Sequence, residues 1–522
     1  MGVVRPSLLH RISSVPRTMA TPSAGDSPSL LSRLAPVPRF PAYPGPHKVG
    51  TVDVEIPVDQ LPSPPETPKE AAGIPTIQFR IFYPAVPDSA GHPITWLPAP
   101  QRLHLAAYSQ FLGAGPKLAS LLSYLPRNLH YITIPVHKNA TVLKPNTVPS
   151  QTRWPTVLFS HGLGGTRNAY SYIAGSLASH GVVVVCPEHR DGSAAISVVR
   201  DPKPPAPRSS WLSSRPAPHT IPYLGIGHNF DSASWEARNT QLRIRLWELA
   251  LTHEALLAID TSPSLATHNL NTSTPPRALS QLTNLLDIHS PGHLIFAGHS
   301  FGAACMYDGP SAPGGAAILA VESDAFFKWK QHLHMKARIF SPDPTQPVVT
   351  AAAFKRADGS EVPRPNFFYV KRAAHLNQSD FGVLWPWLTN KVFGVEKPER
   401  CLRLNGRAML QFLRGNGVAV ARTGEGGLVD GGVGAKGEEG ILEERRGVEA
   451  WERVEVVGLG GESGPTEEEL GVEGRGVLEE KDALEGERRM GEEMEPALES
   501  PMEGGEGKTK AEGEGVVVKG QE

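Results

Sequence analysis

The chain has 522 residues, room for one large α/β domain with extensions or for two to three ordinary domains. Its formal net charge of -2 and pI near 6.8 supply no basic field, so a nucleic-acid partner has no electrostatic support. Three cysteines, Cys186, Cys305 and Cys401, are too few for a disulfide framework, and they favour a reducing compartment. No His/Cys/Asp grouping has zinc-ligand spacing, so no metal or other cofactor is expected.

Composition divides the chain into three regions. Residues 1–39 mix arginines, serines and prolines without an apolar signal core, and read as a disordered leader or a weak organelle-targeting segment. Residues 40–416 form the body. Residues 417–522 are dominated by Gly and Glu, with Trp451 as the only aromatic, and cannot bury enough apolar area to offset the entropy of ordering. No run of about eighteen apolar residues occurs, so a cytoplasmic or peripheral-membrane location is expected. The sequons at Asn139, Asn271 and Asn377 are expected to go unused without a secretion signal.

In chain order, Ile77 to Tyr83 alternates like a strand. Leu103 to Leu125 reads as an apolar helix pair broken at Gly113-Ala-Gly-Pro116. Thr156 to Ser160 and Val182 to Cys186 are short apolar runs of the kind found in strands covered on both faces. Between them Ala169 to His180 fits a helix closed by Gly181, which makes a βαβ unit and a parallel sheet. Arg238 to Asp260 reads as a long helix, and His293 to Ala297 as another buried strand. Pro202 to Pro218 and Thr261 to Pro276 look like inserted surface loops.

Gly298-His-Ser-Phe-Gly302 follows that last strand and leads through small residues into a helix. This is the setting of a nucleophile elbow, with Ser300 at its tip and the negative charge of acyl transfer near a helix N-terminus. The expected class is therefore the α/β-hydrolase fold, a mostly parallel central sheet flanked by helices, with disordered termini.

A serine needs a histidine base, and in this class the order is serine, acid, histidine. His332 and His334 lie in a polar, helix-like stretch. His375 follows the strand Asn366 to Val370 across a short loop, where a sheet would present it at a carboxyl edge. The oxyanion hole needs two backbone donors, Phe301 after the nucleophile and Leu163 in the loop Ser160-His-Gly-Leu-Gly-Gly165. Glu188-His-Arg-Asp191 is expected to form an ion-pair and hydrogen-bond network around the site.

Several ordered stretches carry a family resemblance: Tyr43 to Gly50, Phe159 to Gly165, and Leu177 to Gly181 leading into Pro187 to Ser193. Arg238 to Arg243, Gly298 to Gly302 and His375 to Phe381 continue it. Across roughly residues 40 to 415 the chain resembles the platelet-activating factor acetylhydrolases of the plasma and intracellular type, particularly fungal ones. The resemblance implies calcium-independent hydrolysis of short or oxidised sn-2 acyl esters of phospholipids. It assigns Ser300 as nucleophile, His375 as base, and Leu163 and Phe301 as oxyanion donors. It also implies lipid-surface contact through residues 103–125, beside the alternative of a buried helix pair.

The family's acid motif, a Leu-Asp-x-Trp at a strand end, has no counterpart here. After Ser300 the chain passes through the turn-like Met306 to Gly315 straight to Ala317 to Phe327. The strand–loop segment that carries the acid is therefore expected to be missing, and Asp324 would match a non-catalytic acid of the family. Two rescues are open: Asp308 could swing toward His375, or Ala317 to Val321 could take the vacant strand position and present Glu322 or Asp324, with Asp324 preferred to Asp308. Three functions remain open: a phospholipid deacetylase, a general carboxylesterase or lipase, and a catalytically impaired hydrolase-fold binding protein.

Overall fold

The structure is a computed structural model. It describes residues 37–124, 127–145, 152–202, 219–226, 232–290, 293–303, 318–321, 368–370, 373, 375–393, 397–423, 441 and 451–453. The chain first runs through a long hairpin, β1 (Lys48–Pro57) and β2 (Thr76–Ala85), paired antiparallel from Lys48 opposite Ala85 to Pro57 opposite Thr76. Then come β3 (Ile94–Thr95), helices α1 (Gln101–Phe111) and α2 (Pro116–Leu122), β4 (Thr133–Ile134) and β5 (His137–Lys138). The parallel core follows as β6 (Trp154–Ser160), α3 (Ser171–Ser179) and β7 (Val183–Pro187). An antiparallel pair, β8 (Ile196–Val199) with β9 (His219–Pro222), precedes the long helix α4 (Ser232–Thr261) and the single turn α5 (Pro276–Leu279). Next are β10 (Leu286–Asp287), β11 (Leu294–His299), β12 (Ile318–Val321) and β13 (Phe368–Val370). Helices α6 (Asp380–Leu384), α7 (Pro386–Phe393) and α8 (Pro398–Gly415) close the body, and β14 (Trp451–Arg453) comes last.

The main sheet has the order β12-β11-β6-β7-β2-β1-β5, with β10 parallel to the start of β6. From β12 through β7 every pairing is parallel, and β2 joins β7 antiparallel. Strands β6 and β7 are buried along their whole length, as their unbroken apolar runs require when helices cover both faces. Helix α3 ends where Gly181 takes φ +93, a left-handed conformation in which Trp154 would meet a side chain at 3.0 Å. All ten residues of β2 are buried, polar positions among them, as Arg80 pairs with Asp53 and Thr76 Oγ1 donates to Glu55 Oε1 at 3.0 Å.

Two expectations change. The Thr261 to Pro276 stretch is no free surface loop. Leu265, Ala266, Asn271 and Thr274 are buried, and the segment straps the open edge of β1 beyond its two-residue pairing with β5. Thr274 Oγ1 and Asn269 Oδ1 accept the N–H groups of Asp53 and Glu55 at 3.0 and 2.9 Å, and the Leu270 N–H donates to the Glu55 carbonyl at 2.8 Å. Polar composition hid the strap because its side chains satisfy a strand edge rather than water.

The second change concerns β13, which among the described residues does not join the main sheet. It pairs antiparallel with β14, Val370 opposite Trp451, so three residues of the Gly/Glu-rich segment form a ladder. The local signal is Trp451-Glu-Arg-Val-Glu-Val456, which brings Trp451, Val454 and Val456, all good strand formers, into a segment whose average is polar. The other inserted loop, Pro202 to Pro218, lies almost wholly outside the described residues.

Candidate active site

Ser300 stands at the carboxyl end of β11 with φ +55, one of three non-glycine residues in the left-handed region among the described residues. Residues 301–303 begin a helix, and the Ala303 N–H returns to the Ser300 carbonyl at 3.0 Å. A serine in this conformation costs about 1–3 kcal/mol, which the surrounding packing must hold in place. The flanking glycines explain how. A methyl group at Gly298 would meet the Gly302 backbone at 2.5 Å, and one at Gly302 would run into the Ser160 carbonyl. The elbow therefore closes on β6 only with glycine at both positions.

The loop after β6 faces this elbow, and a Cβ at Gly162 would sit 3.1 Å from Cβ of Ser300. Three of its amides are taken. Gly162 N–H donates to the Tyr170 hydroxyl at 3.2 Å, Gly164 N–H to the Ser193 carbonyl at 2.7 Å, and Gly165 N–H to the Gly162 carbonyl at 3.1 Å. The Leu163 N–H has no protein acceptor among the described residues. From Trp154 to Ala195, Leu163 is also the one residue that is not buried. Tyr170 ties loop to elbow, because its hydroxyl also lies 2.8 Å from Nδ1 of His299.

Beneath the loop lies a buried polar layer. His189 Nε2 is 2.9 Å from Ser160 Oγ, and its Nδ1 is 2.8 Å from Glu248 Oε2. Burial, then Arg245, holds the His189 imidazole well below its ordinary range; burial, then Asp191, pushes the Glu248 carboxyl well up. His161 is lowered to about 3 by burial and then by Arg245. It is thus neutral, with Nε2 accepting the His189 N–H at 3.3 Å. Arg167 pairs with both Glu188 and Asp53, and Arg190 with Glu55, so Glu188 to Asp191 does build the expected network. These ion pairs and hydrogen bonds leave His189 wedged in the layer rather than presented at the surface.

The residues named from sequence fare differently. Ser300, Phe301 and Leu163 are brought to one edge of the sheet. His375 opens a 3-10 turn, His375–Gln378, ahead of α6, but its side chain lies outside what the structure describes. That turn is pinned from below. The buried Asp380 carboxylate accepts Ser171 N–H and Tyr172 N–H at 2.9 Å each, Ser171 Oγ at 2.5 Å and Trp96 Nε1 at 3.0 Å. Burial, outweighing these donors, holds the Asp380 carboxyl up at about 6. Strand β12 does lie beside β11, with Val321 level with His299. Asp324, Glu322, Asp308, His332 and His334 all fall outside the described residues.

Helix α1 and its neighbour α2 split the two readings of residues 103–125. His104, Ala107, Tyr108 and Ala119 are buried, whereas Phe111, Leu112, Leu121, Leu122 and Tyr124 are exposed. Among the described residues no helix is long and apolar enough to cross a membrane.

Sequence reasoning missed the inner face of α4. Arg238, Gln241, Arg245, Glu248 and Thr252 are all buried. Their spacing of three and four residues, polar instead of apolar, was the available signal.

A strained serine between a mostly parallel sheet and a glycine loop places the protein among the α/β-hydrolases. The sequence model of the platelet-activating factor acetylhydrolase, isoform II, family matches residues 35–423, and the chain belongs to that family. It is an ester hydrolase of the acetylhydrolase and phospholipase type. It is 28% identical over 445 residues to a Schizosaccharomyces pombe protein named "Putative phospholipase A2", covering 72% of this chain and 92% of that one. To the platelet-activating factor acetylhydrolase of Cavia porcellus it is 31% identical over 231 residues, 44% of this chain and 45% of the other. Among solved structures, a ferulic acid esterase from Streptomyces cinnamoneus aligns with TM-score 0.37 and 14% identity, over 72% of this chain and 92% of that one.

Proposed function

We propose that the protein hydrolyses the sn-2 acetyl, short or oxidised acyl ester of a phospholipid through an acyl-enzyme on Ser300. The observation that carries this reading is the pairing of a left-handed, half-exposed Ser300 with a half-exposed Leu163 whose N–H has no protein acceptor among the described residues. In the mechanism, Ser300 Oγ attacks the ester carbonyl while His375 takes its proton. The carbonyl oxygen gains the negative charge and receives the N–H groups of Leu163 and Phe301. Collapse expels the lysophospholipid alkoxide, which takes the proton back from His375, and water repeats the sequence to release the acid.

The acid is the weak member of this triad: Asp324, three residues beyond the end of β12 in sequence, is the candidate for it, and it lies outside the described residues. The missing Leu-Asp-x-Trp motif favours a slower enzyme, since loss of the acid typically costs ~10⁴-fold in turnover. The exposed apolar residues of α1 and α2 meet the lipid surface from which the substrate is drawn.

The test is fluorophosphonate labelling followed by acetate release from 1-alkyl-2-acetylglycerophosphocholine, with a neutral p-nitrophenyl ester alongside. Labelling and acetate release are expected from the wild type and neither from Ser300→Ala. Turnover surviving in Ser300→Ala overturns the reading. Faster turnover of the neutral ester than of the phospholipid points instead to a general carboxylesterase.

A further inference from the structure

The two proposed oxyanion donors lie on chain segments far apart in sequence, so chain connectivity does not set their separation. The β6–β11 pairing sets their stems and Tyr170 ties the loop to the elbow, but the aim of each amide needs a further reference common to both. Arg245 of α4 reaches both segments. Its side chain is fully buried, and Nη1 donates to the His161 carbonyl at 2.6 Å, two residues before Leu163. Nη2 donates to Ser193 Oγ at 2.5 Å, and the Ser193 carbonyl accepts the Gly164 N–H on the other side of Leu163 at 2.7 Å. Nε holds Asp191 Oδ2 at 2.9 Å, and Cζ lies 4.7 Å from the centre of the Phe301 ring.

We infer that Arg245 is a positioning residue for this reaction, fixing the spacing and aim of the Leu163 and Phe301 amides. The inference rests on the reading of those amides as oxyanion donors. Charge neutralisation of Asp191 alone would need only a cation. The planar fork does more, because its donors have fixed directions and its face can lie on an aromatic ring. One rigid group thereby grips the Leu163 loop from both sides and backs the elbow through Phe301. A lysine keeps the charge, but its three donors on one nitrogen can neither span the four acceptors Asp191 Oδ2, Ser193 Oγ, Ser160 Oγ and His161 O nor offer a flat face.

The decisive variant is Arg245→Lys, compared with Leu251→Ala, a buried apolar truncation on the same helix. The measurements are thermal midpoint, kcat and KM on a p-nitrophenyl ester, and affinity for a trifluoromethyl ketone, which mimics the tetrahedral anion. Displacing donors by about 1 Å costs on the order of 10²-fold. Arg245→Lys should lose about tenfold to a hundredfold in kcat, with KM nearly unchanged and ketone affinity falling in parallel. Leu251→Ala should lose stability without that split.

If Arg245→Lys does not fold, Ser193→Ala removes two hydrogen bonds of the guanidinium, from Nε and Nη2, while keeping every charge. It should show the same split at a loss of a few-fold. A kcat loss no larger than that of Leu251→Ala, or ketone affinity unchanged while kcat falls, overturns the inference. A wild type that fluorophosphonate does not label at Ser300 overturns the underlying reading as well. A labelled, active wild type beside a fully active Arg245→Lys overturns only the role of Arg245.

Discussion

The ring of Phe111, at the end of α1, lies so close to Gly164 that a methyl group there would meet its Cζ at 2.5 Å. Gly164 also has φ +66, which an alanine adopts only at a cost of about 1–2 kcal/mol. The half-exposed ring thus rests on the residue next to Leu163. Gly164→Ala should push the ring outward and shift the loop, lowering kcat for a soluble ester by about tenfold. The double variant with Phe111→Ala should recover part of that loss, because it removes the collision and leaves only the backbone strain. Steady-state kinetics on the two single variants and the double variant reads this directly; additive losses would contradict it.

Asp380 should make stability depend on pH in the acid range. Its folded pKa of about 6 stands above the ordinary value of 3.8, so between the two the folded chain binds the extra proton. Its stabilising contribution is fully present below about pH 4 and is lost as pH rises through 6, an effect of about 3 kcal/mol. Thermal midpoints of wild type and Asp380→Asn measured from pH 4 to 7 should diverge in slope. The wild type should lose stability relative to the variant as pH rises; parallel curves would rule this out.

The lipid-surface reading makes a prediction about Leu121 and Tyr124, exposed at 62% and 53%. Leu121→Glu with Tyr124→Glu should weaken sedimentation with phosphatidylcholine vesicles by at least tenfold, since each removes apolar contact and adds a charge to be desolvated. Hydrolysis of a soluble ester should stay within about twofold, surface changes of this kind being within about 0.5 kcal/mol. Unchanged vesicle binding would remove these helices from the interface.

Glu55 ties three segments together. Fully buried, it receives Arg190 Nη2 at 2.7 Å, Thr76 Oγ1 at 3.0 Å and the Arg200 N–H at 2.9 Å, and pairs with the Arg200 side chain. Burial pushes its carboxyl up, but Arg190 and Arg200 more than offset this and leave it below the usual carboxylate range. Glu55→Gln strands the buried Arg190 charge and should cost about 3–5 kcal/mol. Urea unfolding should show a lowered midpoint at unchanged slope.

The layers that the sequence made legible are those where one local rule dominates. Strands β6, β7 and β11 stood out as short apolar runs, α3 ended at a glycine, and the elbow glycines marked Ser300. What stayed hidden depends on partners far along the chain. Phe368 to Val370 reads as a strand, yet nothing in those residues says that it pairs with Trp451 to Arg453 instead of β12. The inner face of α4 escaped because a buried polar stripe carries no apolar period. Asp380 looked like one more residue of a motif, and only the fold sets it at the start of α3 under the His375 turn.

The β13–β14 ladder has a practical consequence. The family match stops at residue 423, and the partner strand of Phe368–Val370 begins at Trp451. A chain shortened to the family boundary would look complete by homology, yet it would bare an unpaired strand edge a few residues before His375. Bare edges recruit other chains. Shortened preparations of this protein should therefore self-associate more than the full chain, and a cut after Arg453 keeps the ladder.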